Sequence, residues 1–134
     1  MHEIELRIRL SETDALGIVY YSNYFVFFDI ARIELLREIG IDSNYLNKSG
    51  INFVCSEACC KYLLPLEFDD LILIKTWIER LGKTSISYRH IIVKKKDNRE
   101  AAHGFIRDVL VDNKKQPIQI PEYMREKLER YLLR

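Results

Sequence analysis

The run from Asn23 to Ile39 constrains this chain more than any other segment. Apolar side chains recur at Tyr24, Phe27, Phe28, Ala31, Leu35 and Ile39, close to the i, i+3, i+4 spacing of one helix face. Ser22 and Asn23 are both good N-cap residues, and Gly40 supplies a left-handed stop. Arg32, Glu34, Arg37 and Glu38 fall on the outer side, with Glu34 and Arg37 spaced to pair. Even so, the helix is more apolar than an ordinary surface helix. It suits a helix that a curved sheet wraps around.

The flanking segments supply such a sheet. From Glu3 to Leu10 the apolar residues Ile4, Leu6, Ile8 and Leu10 alternate with Glu3, Glu5, Arg7 and Arg9, the pattern of a half-buried strand. Further strands are expected over residues 53–63, 71–81, 84–95 and 101–112. The Leu81-Gly82-Lys83 turn makes a hairpin of the middle two. Leu71, Leu73, Ile72 and Ile74 make the start of the 71–81 strand apolar on both faces, as in a strand buried on both sides or in an interface. Residues 112–121 read as an irregular connection. Residues 121–134 read as an amphipathic helix starting at Pro121, with Met124, Leu128, Tyr131 and Leu132 facing inward. The expected order β-α-β-β-β-β-α predicts an α+β fold, an antiparallel five-stranded sheet with helix on one face. A single domain over residues 1–134 is the simple reading, and an open sheet edge favours a homodimer.

Composition narrows the classes. Hydrophobic residues make up 48% of the 134, enough for a core, and 21 basic against 20 acidic side chains leave a net charge of +1. That balance speaks against nucleic acid as a partner and against a membrane surface. No apolar run approaches the roughly 20 residues that span a bilayer. The N-terminus mixes charges into its apolar positions, unlike a signal peptide, and a cytoplasmic protein is expected. Cys55, Cys59 and Cys60 fit a reducing compartment; strand alternation would put Cys55 and Cys59 on one face and Cys60 on the other, each a buried small hydrophobe. No metal-ligand spacing is evident. His90 and His103 lie within expected strands and His2 at a frayed end, which suggests structural roles.

The chemistry lies in the loop before the first helix. Asp14 precedes Gly17, which admits a close approach or a positive φ, and the loop runs to the helix N-terminus. A carboxylate can attack a carbonyl or take a proton from water. The free N–H groups of the helix start can hold the oxygen on which charge builds. Acyl transfer needs both parts. The plainer alternative is an Asp that caps a turn.

The order Asp14-x-x-Gly17-Ile18-Val19-Tyr20-x-x-Asn23-Tyr24, followed by Arg32, resembles the signature of the 4-hydroxybenzoyl-CoA thioesterase-like branch of the hotdog-fold family. Agreement continues through Tyr62, Leu64-Pro65, Asp69 or Asp70, the 81–85 segment and Pro121-Glu122, nearly the whole chain. The resemblance implies a hotdog fold, a sheet wrapped around a long central helix with a C-terminal helix, paired as a homodimer or further as a tetramer. It implies hydrolysis of an acyl-CoA thioester with no cofactor beyond the CoA of the substrate. Asp14 would be the catalytic nucleophile or general base, and a backbone N–H at or near Tyr24 would polarise the carbonyl. Gly17, Val19, Tyr20, Tyr21, Asn23 and Tyr24 would shape the substrate site. Thr84 and Ser85 would reach it from the partner subunit.

Many bacterial members carry His where Tyr21 stands here, so a mechanism that needs that His does not transfer. Tyrosine, with an ordinary pKa of about 10, is no base near neutrality. Hotdog dehydratases use a site His, and its absence counts against that activity. A non-catalytic acyl-CoA-binding or protein-interaction dimer is the other rival. For the CoA phosphates the sequence offers Lys83, Arg89 and the Lys94–Lys96 cluster, which otherwise reads as a solvated turn. Asp29 and Arg32 are spaced to pair along the helix.

Overall fold

The computed structural model describes residues 1–133. The alternating N-terminal run forms strand β1 (His2–Arg7), with Ile4 and Leu6 packed against the core and the charged residues exposed. Ile8 continues the inward series, but Leu10 does not. The chain leaves the sheet for a 3-10 turn over Leu10–Glu12, and Leu10 is 69% exposed.

Helix α1 (Asn23–Glu38) buries the expected stripe and adds Leu36. Gly40 ends it at φ 83°. Neither Ser22 nor Asn23 caps it. Ser22 already has helical dihedrals (φ −70°, ψ −21°) and makes no side-chain cap bond. The Asn23 side chain instead donates to the Glu12 carbonyl at 2.9 Å. A second helix, α2 (Ser43–Ser49), was not expected. It is set by its ends: the Asp42 carboxylate accepts from the Tyr45 N–H at 2.9 Å, and Gly50 closes it at φ 68°.

Strands β2 (Ile51–Tyr62), β3 (Leu71–Leu81), β4 (Ser85–Lys94) and β5 (Glu100–Asp112) complete the sheet, all antiparallel, in the order β1-β3-β4-β5-β2. Gly82 N–H bonds the Ser85 carbonyl at 2.8 Å and closes the β3–β4 hairpin. Ile72, Ile74, Thr76 and Ile78 face the core, while Leu71, Leu73 and Trp77 are half-buried on the other face. Helix α3 (Glu122–Leu128) is shorter than the expected 121–134, because the chain tightens into a 3-10 turn at Glu129–Tyr131. Pro121 stands one position before it, in an extended conformation. Met124, Leu128 and Tyr131 are buried, Leu132 bridges to Ile78, and the end of the expected helix lies outside the described residues.

The seat of α1 on the sheet depends on Gly104. A Cβ built there would stand 2.3 Å from the Phe28 ring, so only glycine lets that ring lie on β5. The hydrophobic core fills the space between α1 and the inner faces of β3, β4 and β5.

β1 and β2 are the edge strands, and β2 is largely exposed. A bulge between Cys55 and Glu57 shifts its phase. Cys55 and Cys60 therefore oppose the inward residues Asp108 and Gly104, and Cys59 opposes outward Phe105. This reverses the facing expected from unbroken alternation. Nor are the thiols buried: Cys55 and Cys59 are exposed and Cys60 half-buried, all three free. His2 is not frayed. Its ring is buried edge-on against Tyr131, with Nε2 at 2.9 Å from the Glu38 carboxylate.

Candidate active site

The loop between the 3-10 turn and α1 folds back on itself. Thr13 and Val19 bridge as an antiparallel pair, Asp14 N–H bonds the Ile18 carbonyl at 2.9 Å, and Gly17 N–H bonds the Asp14 carbonyl at 3.0 Å. Gly17 sits at φ 80° with open space where a Cβ would be, so its role is conformational, not one of close approach. One Asp14 oxygen, Oδ1, accepts from the Leu16 N–H at 2.8 Å. This turn-capping bond orients the carboxylate and leaves Oδ2 without a hydrogen-bond partner among the described residues.

Next to this loop is an apolar cavity of about 270 Å³, walled by Ile18, Val19, Tyr21, Tyr24, Tyr62 and Leu64 among others. Tyr24 is buried and meets the Tyr62 ring edge-on at 4.8 Å. Burial raises the Tyr24 hydroxyl above its ordinary pKa. The Tyr62 hydroxyl is pushed up to about 12, by desolvation first and by neighbouring Cys60 next, so it stays protonated near neutrality. It donates to the Tyr21 carbonyl at 2.9 Å. Tyr20 stands outside the cavity with its ring tilted on Tyr21 at 4.7 Å. Its hydroxyl pKa is raised, first by Tyr21 and in smaller part by the Asp14 charge.

The first amides of α1 are mostly engaged. Asn23 N–H reaches the Tyr20 carbonyl at 2.9 Å, Phe25 N–H the Ser22 carbonyl at 3.2 Å, and Tyr24 N–H the Tyr21 carbonyl at 3.4 Å. The Tyr21 and Ser22 N–H groups have no acceptor among the described residues. They lie one and two residues ahead of the helix, so the open donors precede Tyr24.

Thus Asp14, Gly17, Val19, Tyr21, Asn23 and Tyr24 gather at one place: Val19, Tyr21 and Tyr24 in the cavity wall, Asp14 and Gly17 in the adjoining turn, Asn23 tying the start of α1 to the Glu12 carbonyl just ahead of that turn. Thr84 and Ser85 do not join them within one chain. The Thr84 carbonyl accepts from Leu110, and Ser85 lines a separate polar groove of about 620 Å³ with Arg80, Lys83, Ser87 and Arg107. Of the other basic candidates, Lys94 ends β4 and is buried at 3.8 Å from the Asp70 carboxylate, whereas Lys95, paired with Glu5, and Lys96 are exposed in the turn that follows.

Two features escaped the sequence reading. Tyr62 matched the family pattern without suggesting a role, and only the way β2 ends beside α1 gives it one. Arg32 pairs with exposed Asp29 at 3.8 Å as expected, but also with Asp108 at 3.5 Å. Asp108 is 3% exposed, and burial raises its pKa while Arg32 lowers it. Its signal was legible: an acid at an inward position of β5, between Ile106 and Leu110, requires a cation.

A family model described as the thioesterase-like superfamily matches residues 8–128. The chain belongs to the thioesterase-like superfamily. A chloroplastic acyl-acyl carrier protein thioesterase of Arabidopsis thaliana is 31% identical over 131 residues, 98% of this chain and 69% of that protein. A putative esterase of Aquifex aeolicus is 36% identical over 88 residues, 66% of this chain and 69% of that protein. The solved structure of a gentisyl-coenzyme A thioesterase superposes with a TM-score of 0.85 at 32% identity, covering 92% of this chain and 98% of that one. The hotdog fold expected of the thioesterase-like chain is borne out, as is a thioester hydrolase at the level of the family. Its central helix has 16 residues. Among the described residues no helix is long and apolar enough to cross a membrane.

Proposed function

We propose that this chain hydrolyses acyl-CoA thioesters, one hotdog domain per chain, with Asp14 as the catalytic carboxylate. The observation that carries this reading is the placement of Asp14 in a braced turn beside an apolar cavity and two open N–H groups at the start of α1. The acyl group would enter the cavity of Val19, Tyr21 and Tyr24. The thioester oxygen would take hydrogen bonds from the Tyr21 and Ser22 N–H groups, which the α1 dipole strengthens. Asp14 Oδ2 would either attack the carbonyl carbon, forming an anhydride that water then opens, or remove a proton from the attacking water. In both routes CoA leaves as the thiolate and is protonated by solvent.

CoA is the substrate's own carrier, and the reading invokes no further cofactor. Lys83, with Arg80 beside it in the polar groove, is better placed for its phosphates than Lys94 or Lys95, whose charges are already paired. A homodimer formed by pairing two β2 edges would cover the exposed strand, and in it Thr84 and Ser85 would come from the partner.

The test is thiol release from a panel of acyl-CoAs of varied chain length and aromatic character, with an acyl-acyl carrier protein beside them and Asp14→Asn in parallel. Turnover that collapses by at least about a hundred-fold in Asp14→Asn supports the reading. Turnover that survives moves catalysis away from Asp14. Binding without turnover on any substrate favours a non-catalytic acyl-CoA-binding dimer.

A further inference from the structure

The Tyr21 carbonyl receives two donors of unequal quality. The Tyr62 hydroxyl sits at 2.9 Å, a normal bond, and the Tyr24 N–H at 3.4 Å, beyond the usual range. Tyr21 precedes the N-cap residue Ser22, so its carbonyl takes no regular i→i+4 bond from α1, and the Tyr24 N–H reaches it only as a long i→i+3 contact. Here the side chain from the end of β2 holds it more closely than the helix does.

The consequence follows from peptide planarity. The Tyr21 C=O and the Ser22 N–H belong to one trans peptide and point in opposite directions. Fixing the carbonyl on the Tyr62 side fixes the Ser22 N–H on the other side. The preceding peptide is fixed in the same way, because Asn23 N–H holds the Tyr20 carbonyl at 2.9 Å and thereby sets the direction of the Tyr21 N–H. Both open donors are thus set by bonds to the carbonyls behind them. One of those bonds is internal to the helix start; the other comes from Tyr62.

The Tyr62 ring is held too. It meets the Tyr24 ring at 4.8 Å with the planes at 89°, an edge-to-face contact that orients the phenol. Ring and hydroxyl therefore do separable things: the ring walls the cavity, and the hydroxyl aligns a peptide.

We infer that Tyr62 is a positioning residue whose hydroxyl, by holding the Tyr21 carbonyl, keeps the Ser22 N–H aimed as an oxyanion donor. This rests on the reading that the start of α1 binds the thioester oxygen. It goes beyond that reading in assigning the alignment to a side chain from β2, an edge strand.

Tyr62→Phe tests it, since it keeps the ring and removes only the hydroxyl. Two measurements are made on wild type and variant. The first is the backbone amide spectrum of nitrogen-15-labelled protein, which also reports whether the variant is folded. In Tyr62→Phe the Tyr21 carbonyl turns to the Tyr24 N–H, so the Tyr24 amide proton should move downfield and exchange more slowly, and the Ser22 amide should shift. The second is steady-state hydrolysis of the best acyl-CoA. Losing a whole oxyanion donor costs about a hundred- to a thousand-fold, so a misaligned one should lower kcat about ten- to a hundred-fold, with KM within about twofold of wild type. Unchanged Ser22 and Tyr24 amides overturn the inference, whatever the activity. So does a defect confined to KM, which would make Tyr62 a wall of the cavity and nothing more. Wild-type protein that hydrolyses no acyl thioester refutes the functional reading instead, and the amide shifts still decide the alignment.

Discussion

Phe28 lies flat on His90, the ring centroids 4.7 Å apart and the planes 8° from parallel. His90 Nδ1 meets the Thr76 hydroxyl at 2.8 Å, while Nε2 is buried without a hydrogen-bond partner among the described residues. Burial, with the Arg32 charge adding to it, lowers the His90 pKa to about 3. The imidazole is therefore neutral in the folded protein at pH values where the unfolded chain protonates it. Between about pH 6.5 and pH 3 the unfolded state binds the extra proton, so stability falls as pH falls. At one proton the slope approaches about 1.4 kcal/mol per pH unit, so roughly 2 kcal/mol is lost between pH 6 and pH 4. Asp108, whose pKa is raised, contributes with the opposite sign, but it is common to the wild type and a His90→Gln variant. Urea unfolding of both proteins across this range should show the steeper acid loss in the wild type. Parallel curves would refute the assignment to His90.

Gly104 makes the stack possible by letting Phe28 reach the sheet. Gly104→Ala would drive a methyl into the Phe28 ring, against a built separation of 2.3 Å. His90, the cross-strand neighbour of Gly104, stacks on the same ring, so relief requires α1 to shift. A loss of about 1–3 kcal/mol is expected. Thermal unfolding measures it, and a Tm equal to wild type would mean that α1 moves more easily than this packing implies.

Arg32 answers the buried Asp108 carboxylate. Arg32→Met keeps much of the side-chain volume and leaves that carboxylate without its cation, which costs about 3–5 kcal/mol for a buried pair. The pairing distance of 3.5 Å places this pair at the lower end. Without Arg32 the Asp108 pKa rises further, and the variant recovers stability as the acid protonates. Its deficit relative to wild type should therefore shrink from pH 7 toward pH 5. An exposed-pair effect, as for Asp29, would leave a deficit of well under about 1 kcal/mol with little pH dependence.

Periodicity made the large elements legible. The apolar stripe from Tyr24 to Ile39 and the strand from Leu71 to Leu81 fall where the spacing places them, because each buries one continuous face. What escaped depends on single-residue events. The bulge after Cys55 inverts the facing of every residue beyond it, and no period in the sequence announces it. Helix α2 is too short to show a stripe, although Asp42 and Gly50 bracket it with cap chemistry. At the site, Asp14 and the apolar residues near it were legible from their type and order. The open donors at Tyr21 and Ser22 were not, since which amides remain free depends on the geometry of one helical turn.

Lys83 sits beside the polar groove with Ser85 and Arg107. If this groove receives the CoA phosphates, Lys83→Ala should raise KM about three- to tenfold and leave kcat nearly unchanged, because a remote phosphate contact binds substrate and transition state alike. The effect should shrink with added salt, as Debye screening weakens exposed charge contacts. A change in kcat alone would place Lys83 nearer the reacting atoms than the groove suggests.

The exposed β2 edge carries the last expectation. A 12-residue strand with one unpaired side invites a second strand, and a two-fold axis across β2 would pair it antiparallel with its copy. Cys59 lies within this strand, exposed and on the outward face, so Cys59→Asp would put a carboxylate from each chain into the seam, where desolvation disfavours it. Wild-type protein should sediment with twice the mass of the 16.0 kDa chain or more, and the variant near that of one chain. The variant should also lose acyl-CoA hydrolysis, because Thr84 and Ser85 would no longer arrive from a partner. A wild-type protein that sediments as one chain and still hydrolyses substrate would show that the site around Asp14 is complete within a single subunit.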